Sequence, residues 1–262
     1  MSTTASVPSL AGRCRLAAMV VLAGLVSGPA GAVSDLSDSI YRTKIHPREV
    51  RAIQDLLPET EVNTAFIDEA IDPNLRLQDD AAISVTFITE GAGYRNSFGY
   101  FLFDGDNNIL KEETIFSNAS MTGSGGRLRP GDTVDLGDFE AGSNIGFWLR
   151  GNGYDDPGGY TYYSLDQYNP DGKRHVAVMA DTLNERVVVG IEDLFNLGDK
   201  DFNDVVFTFE ATPFSALDIA AMPTGAPEAG PVATALISAG LFAAYVRRRR
   251  SRLRDGQRGP AG

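Results

Sequence analysis

From residue 82 to 210 the apolar residues come in short runs broken by turn residues. AISVTFIT (82–89), GYFLFD (99–104), TVDLGDF (133–139), IGFWLR (145–150), HVAVMA (175–180), RVVVGIEDL (186–194) and VVFTFE (205–210) are β-branched and aromatic, the composition of strands. GDNN, RPGD, GNG, DDPGG and NPDG lie between them and supply turns. Seven or so short strands with no helical period among them predict an all-β fold, an antiparallel β-sandwich of jelly-roll type. Upstream, residues 33–75 are mixed. There PREVRAIQDLL (47–57) places Val50, Ile53, Leu56 and Leu57 on one stripe behind Pro47, which predicts a short N-terminal helix. After Glu210 the chain turns Pro/Ala/Gly-rich, the composition of a linker over 212–230.

The two ends change the picture of where this sandwich sits. Residues 1–32 read as a signal peptide: Arg13 and Arg15, the apolar run LAAMVVLAGLV, then Ala30-Gly31-Ala32 as a small-residue cleavage site. Cys14 precedes that run and is the only cysteine, so an exported chain would have to fold without disulfides. PVATALISAGLFAAYV (231–246) is uncharged and apolar, and RRRRSRLR follows at once. That pairing predicts a membrane-anchor helix, with 247–262 as a basic cytoplasmic tail and everything before it outside. Between residues 33 and 246 there are 14 Lys and Arg against 34 Asp and Glu, a net charge of −20. Nucleic acid is excluded as a partner of such a surface, because phosphate binding needs clustered cations; metal cations suit it.

The acids are concentrated in GDKDFNDVVFTFE (198–210), where Asp199, Asp201, Asn203 and Asp204 run directly into an apolar strand. An EF-hand does not fit. Asp204 occupies the place of its glycine, and a strand from Val205 at ~3.3 Å per residue carries Glu210 too far away to close the loop. A strand-flanked loop does fit. Glu192 and Asp193 end one strand, and the turn FNLGDK returns the chain so that Asp201 and Asp204 lie beside them. Ca2+ takes six to eight oxygens and would relieve the repulsion among these carboxylates. An Asx-rich turn bonding its own backbone amides explains the same residues without a metal. Asp171, in the turn NPDG, is an outlying candidate ligand. FDGDNN (103–108) has similar spacing but reads as a plain hairpin turn.

Four blocks, EGAGYRNSFGYFLFD (90–104), TIFSNASMTGSGGRLRPGDTVDLG (114–137), NPDGKRHV (169–176) and VGIEDLFNLGDKDFNDVVFTFE (189–210), resemble the domain of unknown function 4114 family. The resemblance spans about residues 76–211. It implies a β-rich domain of secreted or surface-attached bacterial proteins, associated with calcium binding and adhesion and with no established enzymatic activity. The C-terminus is similar to PEP-CTERM sorting signals of Gram-negative bacteria, which exosortases process. Here Pro227-Glu228-Ala229 stands where Pro-Glu-Pro is usual.

The expected role is therefore that of an exported, surface- or membrane-anchored calcium module in adhesion or in an extracellular matrix or biofilm. Extracellular polysaccharide or surface proteins would be its partners. A calcium-dependent carbohydrate-binding protein is the alternative. For that reading Trp148, Tyr154, Tyr160 and Tyr162 flank the Gly-rich stretch GNGYDDPGGYTYYS, although Trp148 alternating with Phe147 also reads as core. An enzyme is not expected. His46 and His175 belong to no recognisable triad or zinc motif, and a carboxylate pair for glycoside hydrolysis stands as a third reading only.

Overall fold

The computed structural model describes residues 35–57, 72–220 and 222. The expected signal peptide, the Pro227-Glu228 motif, the apolar segment 231–246 and the basic tail lie outside them. Among the described residues no helix is long and apolar enough to cross a membrane.

Among the described residues the fold is mostly β, with eleven strands, numbered in chain order, in two antiparallel sheets. The first sheet runs β1 (Tyr41–Arg42), β6 (Asp132–Phe139), β3 (Ala81–Thr89), β11 (Val205–Thr212), β10 (Arg186–Ile191), β9 (Val176–Asp181). The second runs β5 (Ile109–Phe116), β4 (Ser97–Phe103), β7 (Asn144–Arg150), with β2 (Leu75–Arg76) and β8 (Thr161–Tyr163) both on the far edge of β7. Their inner faces meet through aromatic rings. Phe98 of β4 and Phe207 of β11 lie 4.1 Å apart between centroids, and Phe147 of β7 lies 5.3 Å from Phe207. Val85, Val134, Val178, Val187, Val189 and Phe209 extend that core.

The central strands are apolar on both faces because each sheet is also covered outside. In β10, Val187, Val189 and Ile191 face the other sheet. Val188 points outward into a second cluster with Ala177, Met179, Val206 and Phe202. Helix α1 (Pro47–Gln54) seals that cluster with Ile53, and Leu57 just beyond it adds to the seal. His46 caps α1 by accepting a hydrogen bond at Nδ1 from the Arg48 amide, 3.1 Å. On the second sheet Phe101, Phe103 and Trp148 face outward against Leu165. Gly146 makes room for the Phe101 ring, which a Cβ there would meet at 2.1 Å.

Besides the short strands β1, β2 and β8, two longer segments differ from the sequence expectation. ILKEETIF (109–116) is a full strand, β5, although its polar character gave no strand signal. It lies at a sheet edge, where charged side chains such as Lys111 and Glu112 stay solvated. The chain also does not leave the domain after Glu210, where a linker was expected. β11 continues to Thr212, a 3-10 turn forms at Phe214–Ala216, and Leu217 bridges to Leu77. Ala216, Leu217 and Met222 are buried in the main core, so these few apolar side chains outweigh the low-complexity composition around them.

Candidate metal centre

β10 and β11 pair up to Ile191 opposite Val205, and the thirteen residues between them form the acidic loop. Its path is unusual: Asn196, Leu197, Gly198, Lys200 and Phe202 all have positive φ. Non-glycine residues adopt that region at a cost of ~1 kcal/mol or more each, so tertiary contacts must hold the loop in place. Leu197 and Phe202 do so by burial, Phe202 within the cluster under α1. Asn196 is held by its amide, which donates to Asp171 Oδ2 at 2.8 Å.

The loop folds back so that one carboxylate oxygen from each of Glu192, Asp199 and Asp201 lies within 4.8 Å of the others. Glu192 is fully buried and Asp201 nearly so, while Asp199 is exposed and closes the group from the solvent side. Glu192 Oε1 accepts the Phe202 amide at 2.8 Å, whereas the equally buried Oε2 accepts no hydrogen bond. Gly198 passes close by: a Cβ there would lie 3.2 Å from Oε2. Burial first, with the charges of Asp201, Asp199 and Asp193 adding to it against the Phe202 amide, pushes the Glu192 carboxyl up to about 8. Asp201 in turn is braced by Asn203, whose backbone amide donates to Oδ1 at 3.2 Å and whose side chain donates to Oδ2 at 2.8 Å.

The remaining predicted residues are near but engaged elsewhere. Asp204 Oδ2 accepts the Asp193 amide at 2.7 Å, and Asp193 Oδ2 accepts from Asn96 Nδ2 at 2.7 Å. Burial first, then mutual repulsion, raises the pKa of Asp204; burial also raises that of Asp193. Asp171 turns away from the triad. It accepts from Lys173 and Asn196 amides and faces His175 Nε2 at 3.1 Å, and His175 Nδ1 meets the Glu192 carbonyl at 3.0 Å. Burial raises the Asp171 pKa, but these donors outweigh it and hold it below the usual carboxylate value. Burial pushes the His175 ring below its ordinary value, against both acceptors. Asp171 and His175 therefore position the loop through Asn196 and Glu192 and do not join the triad.

Asp104 accepts from the Asp106 and Asn108 amides within the β4–β5 hairpin, as a plain turn would. The aromatic candidates divide. Trp148 is core: its outward direction on β7 is covered, and Nε1 donates to the Tyr100 carbonyl at 3.2 Å. Tyr162 is buried and stacked on His175, with centroids 3.9 Å apart. Tyr154 and Tyr160 are exposed. The residue that sequence reasoning missed is Asn96. It is buried just before β4, bonded to Asp193 across 97 positions, and no local pattern marks it.

The family model of a domain of unknown function (DUF4114) matches residues 139–212, from the end of β6 through β11, and so contains the whole acidic loop. The match covers 74 of 262 residues, a shorter span than the resemblance suggested. Searches of curated proteins and of solved structures return no match.

Proposed function

We propose that this chain is an exported calcium-binding β-sandwich of jelly-roll type, anchored at a membrane or cell surface and serving adhesion or extracellular matrix. The observation that carries the metal reading is at Glu192: its Oε2 is a buried carboxylate oxygen without a donor, and Glu192 brings one carboxylate oxygen within 4.8 Å of those of Asp199 and Asp201. A buried charge without a partner costs several kcal/mol, and a cation at the triad removes that cost. The donor set is oxygen only, which favours a hard cation. Calcium, with long bonds and a tolerant ligand number, suits an irregular loop better than octahedral magnesium. Glu192, Asp199 and Asp201 would be the carboxylate ligands. Asn203 holds Asp201, and Asp193 with Asp204 fixes the start of the loop. The affinity expected of extracellular modules, ~10⁻⁴–10⁻³ M, is enough where calcium is abundant.

Calcium would do here what no disulfide does, locking a strained surface loop in an exported domain. The terminal apolar segments and the Pro227-Glu228 motif support export, anchoring and exosortase-type sorting. Isothermal titration of chelator-treated protein with calcium tests the metal centre. Binding that Asp201→Asn abolishes supports the centre, and the absence of heat and of any melting shift rejects it. Fractionation of cells expressing the chain with and without residues 231–262 tests the anchor.

A further inference from the structure

Beside the acidic loop lies an open cavity of about 550 Å³, lined among others by Tyr94, Asn152, Asp156, Tyr160, Asp193 and Phe195. We infer that it is a binding site for neutral saccharides, whose shape is set by the metal loop. Three aromatic side chains on its wall stay in water: Tyr160 is 60% exposed, Phe195 47% and Tyr94 45%. A cluster of exposed rings at one cavity marks a surface that meets a ligand. The Tyr160 and Phe195 rings lie 5.7 Å apart at an interplanar angle of 36°, side by side and not enclosing a point. Such a platform fits the flat C–H face of a pyranose, whereas a quaternary ammonium needs a cage. Asp156 supplies carboxylate oxygens for hydroxyl groups, one of them already fixed by the Gly158 amide at 3.0 Å. Gly151, Gly158 and Gly159 line the same wall without side chains, and their amides tie it to Tyr160 and Asp156.

The cavity is built on the metal loop. Phe195 is part of that loop, and Asp193 belongs to both structures. Asn96 joins them, donating to Asp193 Oδ2 and accepting the Asn152 amide at 2.9 Å. Gly151 packs so closely that a Cβ would lie 2.9 Å from the Asp193 carbonyl. Loosening the loop therefore moves Phe195 away from Tyr160. The calcium dependence of this site rests on the proposed metal centre, whereas the platform does not.

The test is titration of the full-length protein with tetrasaccharides of glucose, mannose and galactose in α- and β-linkage, in calcium and in EGTA, with choline as a control. The expected result is binding of at least one sugar in calcium, weakened about tenfold or more by Tyr160→Ala or Phe195→Ala, and weaker in EGTA. Both side chains are exposed, so an unchanged melting temperature separates lost binding from lost fold. No sugar bound by protein that still titrates calcium overturns the saccharide site and leaves the metal centre intact. Equal sugar affinity in calcium and EGTA overturns the coupling. Binding of choline alone, or sugar binding unaffected by either substitution, overturns the assignment to this platform.

Discussion

Glu192 has one oxygen satisfied by the Phe202 amide and one that is buried without a hydrogen-bond donor. Its pKa stands near 4.5 in an unfolded chain and about 8 in the folded one. Between those values the folded protein holds a proton that the unfolded one has released. Metal-free stability therefore falls as pH rises from about 4.5 to about 8. The raised Asp193 and Asp204 carboxyls act in the same direction. Melting in chelator across that window is expected to show the decline, and added calcium to flatten it, because the cation replaces the proton. Glu192→Gln keeps the acceptor for Phe202 and removes the charge. In chelator its stability should stay within about 1 kcal/mol of wild type with a weaker pH dependence, and its calcium response should vanish. A Glu192→Gln protein that still melts higher in calcium would remove Glu192 from the ligand set.

At the level of elements, the acidic loop is held from behind by the cluster that α1 closes. Ile53 is buried there against Phe202, Val188 and Met179. Ile53→Ala should cost about 2 kcal/mol or more in urea unfolding and also weaken calcium binding, since Phe202 loses its support. The opposite sheet gives a control. Gly146→Ala drives a methyl into the Phe101 ring and should destabilise by roughly 1–3 kcal/mol, but leave calcium affinity unchanged, because β7 at Gly146 lies in the other sheet and outside the acidic loop. Equal effects of the two substitutions on calcium affinity would contradict the support assigned to α1.

For the whole molecule, calcium acts as any ligand that binds only the folded state. At free calcium 100-fold above the dissociation constant it adds ~2.7 kcal/mol. A domain of this size gains about 2–4 °C per kcal/mol, so the melting temperature should rise by about 5–10 °C, measured by calorimetry against EGTA. The net charge of −20 between residues 33 and 246 draws cations in general, so monovalent salt should weaken calcium binding without abolishing it.

Strand content, the α1 stripe and the acidic loop are visible in the chain because each follows from local chemistry: β-branched runs, a 3.6-residue period and a density of carboxylates that needs neutralising. The edge strand β5 is not, since an edge position tolerates Lys111 and Glu112 and erases the apolar signal. Nor is the seat of Leu217 and Met222 in the core, where a few contacts outweigh composition. Among the acids, spacing puts Asp199, Asp201 and Asp204 forward as direct ligands, with Glu192 and Asp193 completing or orienting the site, whereas the folded chain gathers Glu192, Asp199 and Asp201. Whether Glu192 or Asp204 joins Asp199 and Asp201 depends on a backbone that turns through positive φ at five loop residues, and on Asn96 and Asp171 drawn in from distant segments. Trp148 and Tyr160 look alike along the chain, but the sheet covers one ring and leaves the other in water. Burial and convergence are properties of long-range packing, and no local run of residues encodes them.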